Sequence, residues 1–428
     1  MSGFLFISTG LGCGKTQAIS PNVVVIVIDT LRADHLPFYG YKKNTAPFLN
    51  RLSTQSVIFE KAYSTSSLTA PATASLFTST YPFQHGVVLN IGGTIKLRKL
   101  KPRLTIKLNK IPQEMITLGE VFKQSGYATF GVSDNINIGD KESFDQGFDK
   151  FATFTYQSAP FINRQIKKWA NEIKKQKKYL LYIHYMDPHQ PYYEREPWYK
   201  QQDTMRANNI AMYDSEINYV DIHIKELYEL FGWNKNTLII LTSDHGEELW
   251  DHGFKGHGYS LYREVIHIPL MIYYPQGGFK VGRTRENVNL VDVLPTLREF
   301  LGLSRDKANE GISLLPVLKG RSTEIPQRFL FAHLVDHSFN KKTVDSGATI
   351  YKNWHFIEGF SGDWSLFNLK LDPREKYNQQ ENDFGTARQL YARYWRFKKK
   401  CRKFKQDQAT YHLDEAQIER LKTLGYIR

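Results

Sequence analysis

Hydrophobic runs alternate with amphipathic stretches through most of the chain, and this alternation predicts a fold class. The β-branched run at residues 23–28 is typical of a strand buried on both faces of a parallel sheet. Similar runs predict strands at residues 128–133, 179–184, 237–242 and 269–274. Helical periodicity predicts helices at residues 45–56, 117–126, 162–178 and 212–231, and the start of another at 75–80. This order predicts an α/β fold, with a doubly wound, mostly parallel sheet and helices on both faces.

The pattern changes near residue 328, where short strand-like segments replace the long alternation. Residues 348–358 and 364–371 predict the strands of a hairpin, followed by a helix rich in Lys and Arg. We therefore predict three parts: a tail at residues 1–21, a main α/β domain at 22–327, and a small C-terminal α+β subdomain at 328–428.

Composition and charge narrow the choice of partner. The chain has 428 residues, 41% of them hydrophobic, and lacks a run of 18 apolar residues, so no transmembrane helix is predicted. Its formal net charge of +14 is compatible with nucleic acid, anionic lipid or an anionic small substrate. The basic segments 96–110, 167–178 and 396–405 are typical of solvated helix faces and loops. No recognition motif interleaves them with aromatic residues, so no nucleic-acid partner is predicted.

The N-terminal tail carries two motif-like segments. Gly14-Lys15-Thr16 imitates the end of a phosphate-binding loop, but Thr9 stands where that motif needs glycine and the strand follows it. The apolar run at residues 4–7 followed by Gly12-Cys13 instead resembles a lipoprotein signal, with Cys13 as the site of a possible lipid anchor. This interpretation predicts a cell-envelope, periplasmic or otherwise extracytoplasmic location. A disordered tail is the alternative, and a cytoplasmic location stays open with it.

Polar residues at strand ends predict a metal site. Asp29 directly follows the strand at 23–28, and Asp244-His245 follows the strand at 237–242. Open α/β sheets place their chemistry at the carboxyl ends of strands, so these side chains are expected to converge. An oxygen of Thr69 would complete the set. Carboxylate, imidazole and hydroxyl ligands suit one divalent ion, and they do not distinguish among Mn, Mg, Ca and Zn.

An ordered set of motifs along the chain resembles those of one known enzyme family. The first motifs are Asp29-Thr30-Leu31-Arg32-Ala33-Asp34-His35 and Leu68-Thr69-Ala70-Pro71-Ala72-Thr73. Later segments that resemble the family lie at residues 78–87, 147–149, 187–192, 213–221, 244–247, 256–262, 267–270, 291–296, 366–369, 372–375 and 423–426. The ordered set covers residues 22 to 428 and resembles the sulfatase branch of the alkaline phosphatase superfamily. This resemblance implies an alkaline-phosphatase-like fold, with catalysis in the domain at 22–327.

The resemblance also implies roles for single residues. It makes Asp29, Thr69, Asp244 and His245 the ligands of one firmly bound divalent metal, with Thr69 as the nucleophile as well. His189 and His257 would line the substrate pocket, where they would bind the oxygens of the anion or protonate the leaving group. A second metal site is not clearly encoded.

Two departures from the family pattern change the expected chemistry. Sulfatases oxidise a Cys or Ser to an aldehyde at the position of Thr69, whereas the methyl group of threonine would limit oxidation to a ketone. The family's motif also requires arginine where this chain has Thr73. A metal-activated threonine can still act as an alcohol nucleophile. We therefore expect Thr69 to attack phosphorus in line, in a phosphate mono- or diester.

Two other functions remain open from the sequence. One is hydrolysis of a sulfate ester without formylglycine, in which a sulfo-threonine ester would lack the elimination step that releases sulfate from an aldehyde hydrate. The other is a non-catalytic module that binds an anionic glycan or lipid through basic loops. In either enzymatic interpretation the partner is an anionic ester, and a lipid or glycan head group would fit an exported protein.

Overall fold

A computed structural model describes residues 20–91, 104–322, 324–336, 344–413 and 415–423. The strands in chain order are β1 (Asn22–Ile28), β2 (Ser56–Tyr63), β3 (Leu104–Lys110), β4 (Ala128–Ser133), β5 (Lys150–Thr153), β6 (Tyr179–Tyr185), β7 (Thr237–Thr242), β8 (Glu248–Leu249), β9 (Lys255–Gly256), β10 (His267–Ile268), β11 (Leu270–Tyr273), β12 (Gly282–Asn289), β13 (Leu330–Asp336), β14 (Val344–Tyr351), β15 (Trp354–Glu358), β16 (Trp364–Asn368) and β17 (Asp407–Leu413).

The α-helices in chain order are α1 (Pro47–Ser53), α2 (Thr69–Thr78), α3 (Pro82–His85), α4 (Leu118–Gln124), α5 (Ala159–Lys175), α6 (Met205–Phe231), α7 (Arg263–Ile266), α8 (Val293–Phe300), α9 (Leu315–Leu318), α10 (Phe384–Lys400) and α11 (Glu415–Thr423). Of these described helices, none is both long and apolar enough to cross a membrane. The predicted tail and Cys13 lie outside the described residues.

Within the described residues, a nine-stranded sheet forms the centre of the fold, in the order β10-β2-β11-β7-β1-β6-β4-β5, with β12 paired to β2. The five strands from β7 to β5 are parallel, and four of them, β7, β1, β6 and β4, were predicted from the sequence. The strand predicted at residues 269–274 is also present as β11, but it runs antiparallel to both β2 and β7. The predicted fold class, a mostly parallel doubly wound sheet, is confirmed.

The residues of β1 show why this strand occupies the middle of the sheet. Val23, Val25 and Val27 belong to the hydrophobic core on one face. Val24, Ile26 and Ile28 belong to the core on the other face. Helices cover both faces, so every position of the strand except the first is buried. The continuous β-branched run is therefore the direct result of a two-sided core.

The C-terminal region contains a second, smaller sheet. Strands β13, β14, β15 and β16 pair antiparallel in that order, and α10 packs against β14. The segment 348–358 was predicted as one strand, but Lys352 adopts a left-handed φ of 55° and divides it into β14 and β15. Strand β17 then returns to pair with β3, far back in the chain. The predicted small α+β architecture is confirmed.

Candidate active site

Two neighbouring parallel strands bring the predicted carboxylates together. Val27 of β1 lies opposite Thr242 of β7, so Asp29 and Asp244 emerge at the same edge of the sheet. The Asp244 Oδ1 atom accepts hydrogen bonds from the backbone N–H of Thr30 at 3.3 Å and of His245 at 2.9 Å. These bonds hold one oxygen of Asp244 and leave its Oδ2 atom directed elsewhere.

Thr69 is the first residue of α2, which corrects the predicted start of that helix at residue 75. Pro71 is compatible with the first turn, since it lacks the N–H that a helix start leaves unbonded. The N–H of Ala70 donates to Asn90 Oδ1 at 3.0 Å. The positive end of the helix dipole therefore lies at Thr69, where it favours negative charge on the hydroxyl or on a bound anion.

The predicted ligands converge on one buried point. Thr69 Oγ1 lies 3.3 Å from His245 Nε2. The same nitrogen lies 3.4 Å from Asp244 Oδ2 and 3.8 Å from Asp29 Oδ1. All four side chains are at most 1% exposed. The structure thus brings together Asp29, Thr69, Asp244 and His245, although these residues are up to 216 positions apart in the chain.

Two further residues complete the surroundings of Asp29, and the sequence analysis missed both. His184 Nε2 lies 3.2 Å from Asp29 Oδ2, while the Tyr182 hydroxyl lies 2.9 Å from the other ring nitrogen of His184. Asn135 Nδ2 donates to Asp29 Oδ2 at 2.8 Å and to Thr69 Oγ1 at 3.4 Å. His184 ends the predicted strand at 179–184, so the strand-end argument used for Asp29 would have found it.

The electrostatics of the two carboxylates are unequal. Burial raises the pKa of Asp244, and the adjacent charge of Asp29 raises it further. Burial also acts to raise the pKa of Asp29, but the His184 hydrogen bond and the charges of nearby histidines outweigh it and lower that pKa. Burial acts to lower the pKa of His245, yet the two carboxylates raise it. The centre therefore concentrates negative charge that a cation would offset.

The donor atoms fit a divalent metal ion. Asp29 Oδ1 and Asp244 Oδ2 are buried and accept no hydrogen bond from any described residue. Buried oxygens in this state are costly unless another ligand satisfies them. Ligand atoms of Asp29, His184 and Asp244 lie within 4.8 Å of one another, which is compatible with one shared ion. The two carboxylates are common to this triad and to the predicted set, and either His184 or His245 can supply imidazole nitrogen.

The predicted substrate histidines form a row that leads away from this centre. The ring centroid of His257 lies 4.5 Å from that of His245, and the His189 centroid lies 4.9 Å from that of His257. Burial lowers the pKa of His189 to about 4, so this ring is neutral near pH 7. Glu247 Oε2 lies 3.5 Å from His257 Nδ1. The row offers imidazole N–H groups to an anion bound beside Thr69.

Three other acidic or imidazole side chains that could be candidates for the site have structural partners elsewhere. Asp187 accepts hydrogen bonds from the Ser158 hydroxyl and the Ala159 N–H, and so caps the start of α5. His85 contacts the Ser75 hydroxyl at 3.1 Å and accepts from the backbone of the following loop. His252 pairs with Glu264 and stacks on Tyr262. None of these three candidates is among the residues that meet at Asp29.

Comparisons with known proteins agree with this architecture. The sulfatase family model matches residues 21–303, and the model for the C-terminal part of N-sulphoglucosamine sulphohydrolase matches residues 251–400. An ulvan-active sulfatase of Formosa agariphila is 24% identical to this chain, over 85% of this chain and 78% of its own length. A Delta 4,5-hexuronate-2-O-sulfatase of Bacteroides thetaiotaomicron is 22% identical, over 86% of each protein.

One solved structure of similar fold is named for a reaction other than sulfate-ester hydrolysis. The phosphonate monoester hydrolase of Agrobacterium radiobacter superimposes with a TM-score of 0.71 at 18% identity, covering 87% of this chain and 94% of that one. At this identity the likeness shows the fold, which is alkaline-phosphatase-like. The sulfatase model itself spans well over half of the present chain. The chain therefore belongs to the sulfatase family, within the alkaline phosphatase superfamily of hydrolases.

Proposed function

We propose that this protein is a metal-dependent hydrolase or transferase that cleaves a phosphate mono- or diester with Thr69 as nucleophile. The observation that carries the proposal is the position of the Thr69 hydroxyl. It lies at the N-terminus of a ten-residue helix, 3.3 Å from His245 Nε2, beside two carboxylate oxygens with no hydrogen-bond donor among the described residues. The helix N-terminus favours negative charge on this alcohol, and a cation held by the two carboxylates would lower its pKa.

The chemistry of threonine favours phosphorus over sulfur. Oxidation of Thr69 would give a ketone, so the aldehyde hydrate that sulfatases use cannot form. Thr73 occupies the place of the arginine in the family's motif, and it is completely buried one helical turn from Thr69. The position therefore offers no positive charge to hold an aldehyde hydrate. A phospho-threonine ester needs no elimination step, since water or an alcohol can displace threonine at phosphorus.

The residues divide the reaction between them. Thr69 Oγ1 loses its proton and forms the bond to phosphorus, while the bond to the leaving oxygen breaks and that oxygen takes up a proton. Asp29, Thr69, Asp244 and His245 would hold the cation, which lowers the pKa of the hydroxyl and offsets the charge of the anion. Asn135 orients both Asp29 and Thr69 through its amide group. The neutral ring of His189, together with His257, would bind the phosphoryl oxygens or the leaving group.

Sulfate-ester hydrolysis is the second candidate function, and the names of relatives favour it. Both relatives described above are sulfatases that act on ulvan or on a hexuronate. The difficulty is turnover, because a sulfo-threonine ester would have to be hydrolysed without the elimination route. Slow or single-turnover sulfatase activity is therefore what this second candidate predicts.

A parallel assay distinguishes the two reactions. Wild type, Thr69→Ala and Thr69→Ser are compared on an aryl phosphate monoester, an aryl phosphate diester and an aryl sulfate, with Mn²⁺, Mg²⁺, Ca²⁺ and Zn²⁺ varied. Thr296→Ala is the matched control, because Thr296 is buried and hydrogen-bonded in α8. We expect phosphoester turnover that Thr69→Ala abolishes and Thr69→Ser partly retains. Aryl sulfate turnover that exceeds phosphoester turnover would refute the proposal.

Metal content tests the non-catalytic alternative. The purified protein should contain about one divalent ion per chain, as expected from a buried set of carboxylate and imidazole ligands. A protein without stoichiometric metal, and without turnover when metal is added, would overturn the enzymatic assignment. Asp29→Ala is the accompanying variant, and it should lose the ion while its circular-dichroism spectrum stays that of the wild type.

A further inference from the structure

A basic pocket lies between the central sheet and the C-terminal sheet. Its volume is about 370 Å³, and five of its lining side chains carry positive charge. They are Lys61 of β2, Arg263 of α7, Arg285 of β12, Lys352 at the β14–β15 turn, and Lys370 after β16. The central sheet, α7 and the C-terminal sheet thus all contribute cations to one cavity. This volume suits a small ligand or one unit of a longer chain.

Most of these cations lack a carboxylate partner. Among the described residues, Arg285 pairs with Glu60, whereas Lys61, Lys352 and Lys370 form no ion pair. The Arg263 Nε atom is buried and donates no hydrogen bond to any described residue, although its NH1 group donates to a backbone carbonyl. Like charges around a cavity repel one another, and a bound anion would relieve that repulsion. Arginine and lysine are the residues that proteins use to bind phosphate and sulfate.

The pocket lies on the active-site side of the sheet. Tyr63, which lines the pocket, ends β2 at the same sheet edge as Asp29. Thr69 follows Tyr63 by six positions in the chain, and Arg263 follows His257 by six positions. An extended chain of that length spans at most about 20 Å, so both links limit the distance from pocket to reaction centre. One elongated ligand could therefore reach both places.

We propose that this pocket is a second anion-binding site, which holds a phosphate or sulfate group of a chain-like ligand that carries several such groups. The ligand would present one ester to Thr69 and another anionic group to the pocket. Only the link to catalysis rests on the proposed function. Anion binding in the pocket itself needs no turnover, so it can be measured in an inactive protein.

Binding is tested with the metal-loaded Thr69→Ala protein and two probes, a heparin-derived octasaccharide and a linear polyphosphate. The pocket variant replaces Lys61, Lys352 and Lys370 with Gln. The control variant replaces Lys168, Lys175 and Lys177 of the α5 region with Gln, because these exposed lysines form no ion pair among the described residues and carry the same total charge. Isothermal titration calorimetry gives the dissociation constant of each probe for each protein.

We expect the pocket variant to bind the preferred probe at least about ten-fold more weakly and the control variant within about two-fold of the parent. The probe that binds more tightly identifies sulfate or phosphate as the recognised group. Equal weakening in the two variants, or none in either, would overturn the proposal. When the same lysine substitutions are made in the protein that retains Thr69, kcat/KM for a small aryl ester should be unchanged in both variants. If the proteins that retain Thr69 show no turnover, but the pocket variant alone loses affinity for the probe, the proposed function is refuted and the second anion-binding site is not.

Discussion

Asn135→Ala is the most direct test of how this active site is organised. The Asn135 amide donates to Asp29 Oδ2 at 2.8 Å and to Thr69 Oγ1 at 3.4 Å, and the side chain is completely buried. A hydrogen bond to a charged acceptor contributes about 1.5–3 kcal/mol. That energy corresponds to a factor of roughly 10 to 150 in rate or affinity, because the bond both supports a metal ligand and positions the nucleophile. We expect kcat to fall by that factor while KM changes less.

The control for this experiment is Asn163→Ala. Asn163 is also buried, and its amide donates to a carboxylate, Glu226 Oε2, at 2.7 Å, but it lies in α5. Both variants should lose similar stability in urea unfolding, and only Asn135→Ala should lose turnover and Mn²⁺ affinity. Turnover is followed with the best aryl ester at saturating metal, and metal affinity by calorimetry. The reasoning is refuted if Asn135→Ala retains activity within about three-fold of wild type, or if Asn163→Ala loses as much.

Three further results are expected. Removal of the metal by a chelator should lower the melting temperature measured by scanning fluorimetry. Mn²⁺ at 100 times its Kd should then restore about 2.7 kcal/mol of unfolding free energy in the wild type and none in Asp29→Ala. Equal restoration in the two proteins would count against Asp29 as a metal ligand. Burial raises the pKa of Glu142 to about 8, so its contribution to stability is full below pH 4.5 and is lost as pH rises through 8. In urea unfolding between pH 5 and 8, the free energy of unfolding of Glu142→Gln should therefore rise relative to wild type by up to about 1.4 kcal/mol per pH unit. A difference between the two proteins that does not change with pH would contradict this. The two carboxylate oxygens of Asp221 accept hydrogen bonds from the backbone N–H groups of Phe48 and Leu49. Asp221→Ala should therefore cost about 2–4 kcal/mol of unfolding free energy, about twice the cost of Asp221→Asn. Equal costs for the two variants would argue against two separate bonds.

The success of the sequence analysis followed the strength of the local hydrophobic pattern. The strand predicted at residues 237–242 matches β7, and the strand at 128–133 matches β4, because buried strands need continuous apolar side chains. Strand β12 was not predicted. Its sequence, Gly282–Asn289, is mostly polar, because among the described strands it pairs only with β2, and five of its eight residues are not buried. An edge strand leaves little hydrophobic signal.

In the candidate site too, the features with a strong local sequence pattern were predicted and those without one were not. Asp29, Asp244 and His245 were predicted because they follow strong strands, and Thr69 because it lies in a segment that resembles the family's nucleophile. The start of α2 at Thr69 was not predicted, since the residues of that helix mix small, polar and apolar side chains and show no apolar stripe. All ten of them are buried, so periodicity could not mark one face.

The sequence by itself determined the alternation of strands and helices, the doubly wound sheet and the family, because these depend on patterns that are local in the chain. Only the tertiary structure decided that His184 and Asn135 contact Asp29, and that five cations from distant segments surround one pocket. Such contacts depend on strand order and register. In this sheet β1 pairs with β6 and β7, which follow it by more than 150 residues, and no local pattern encodes that pairing.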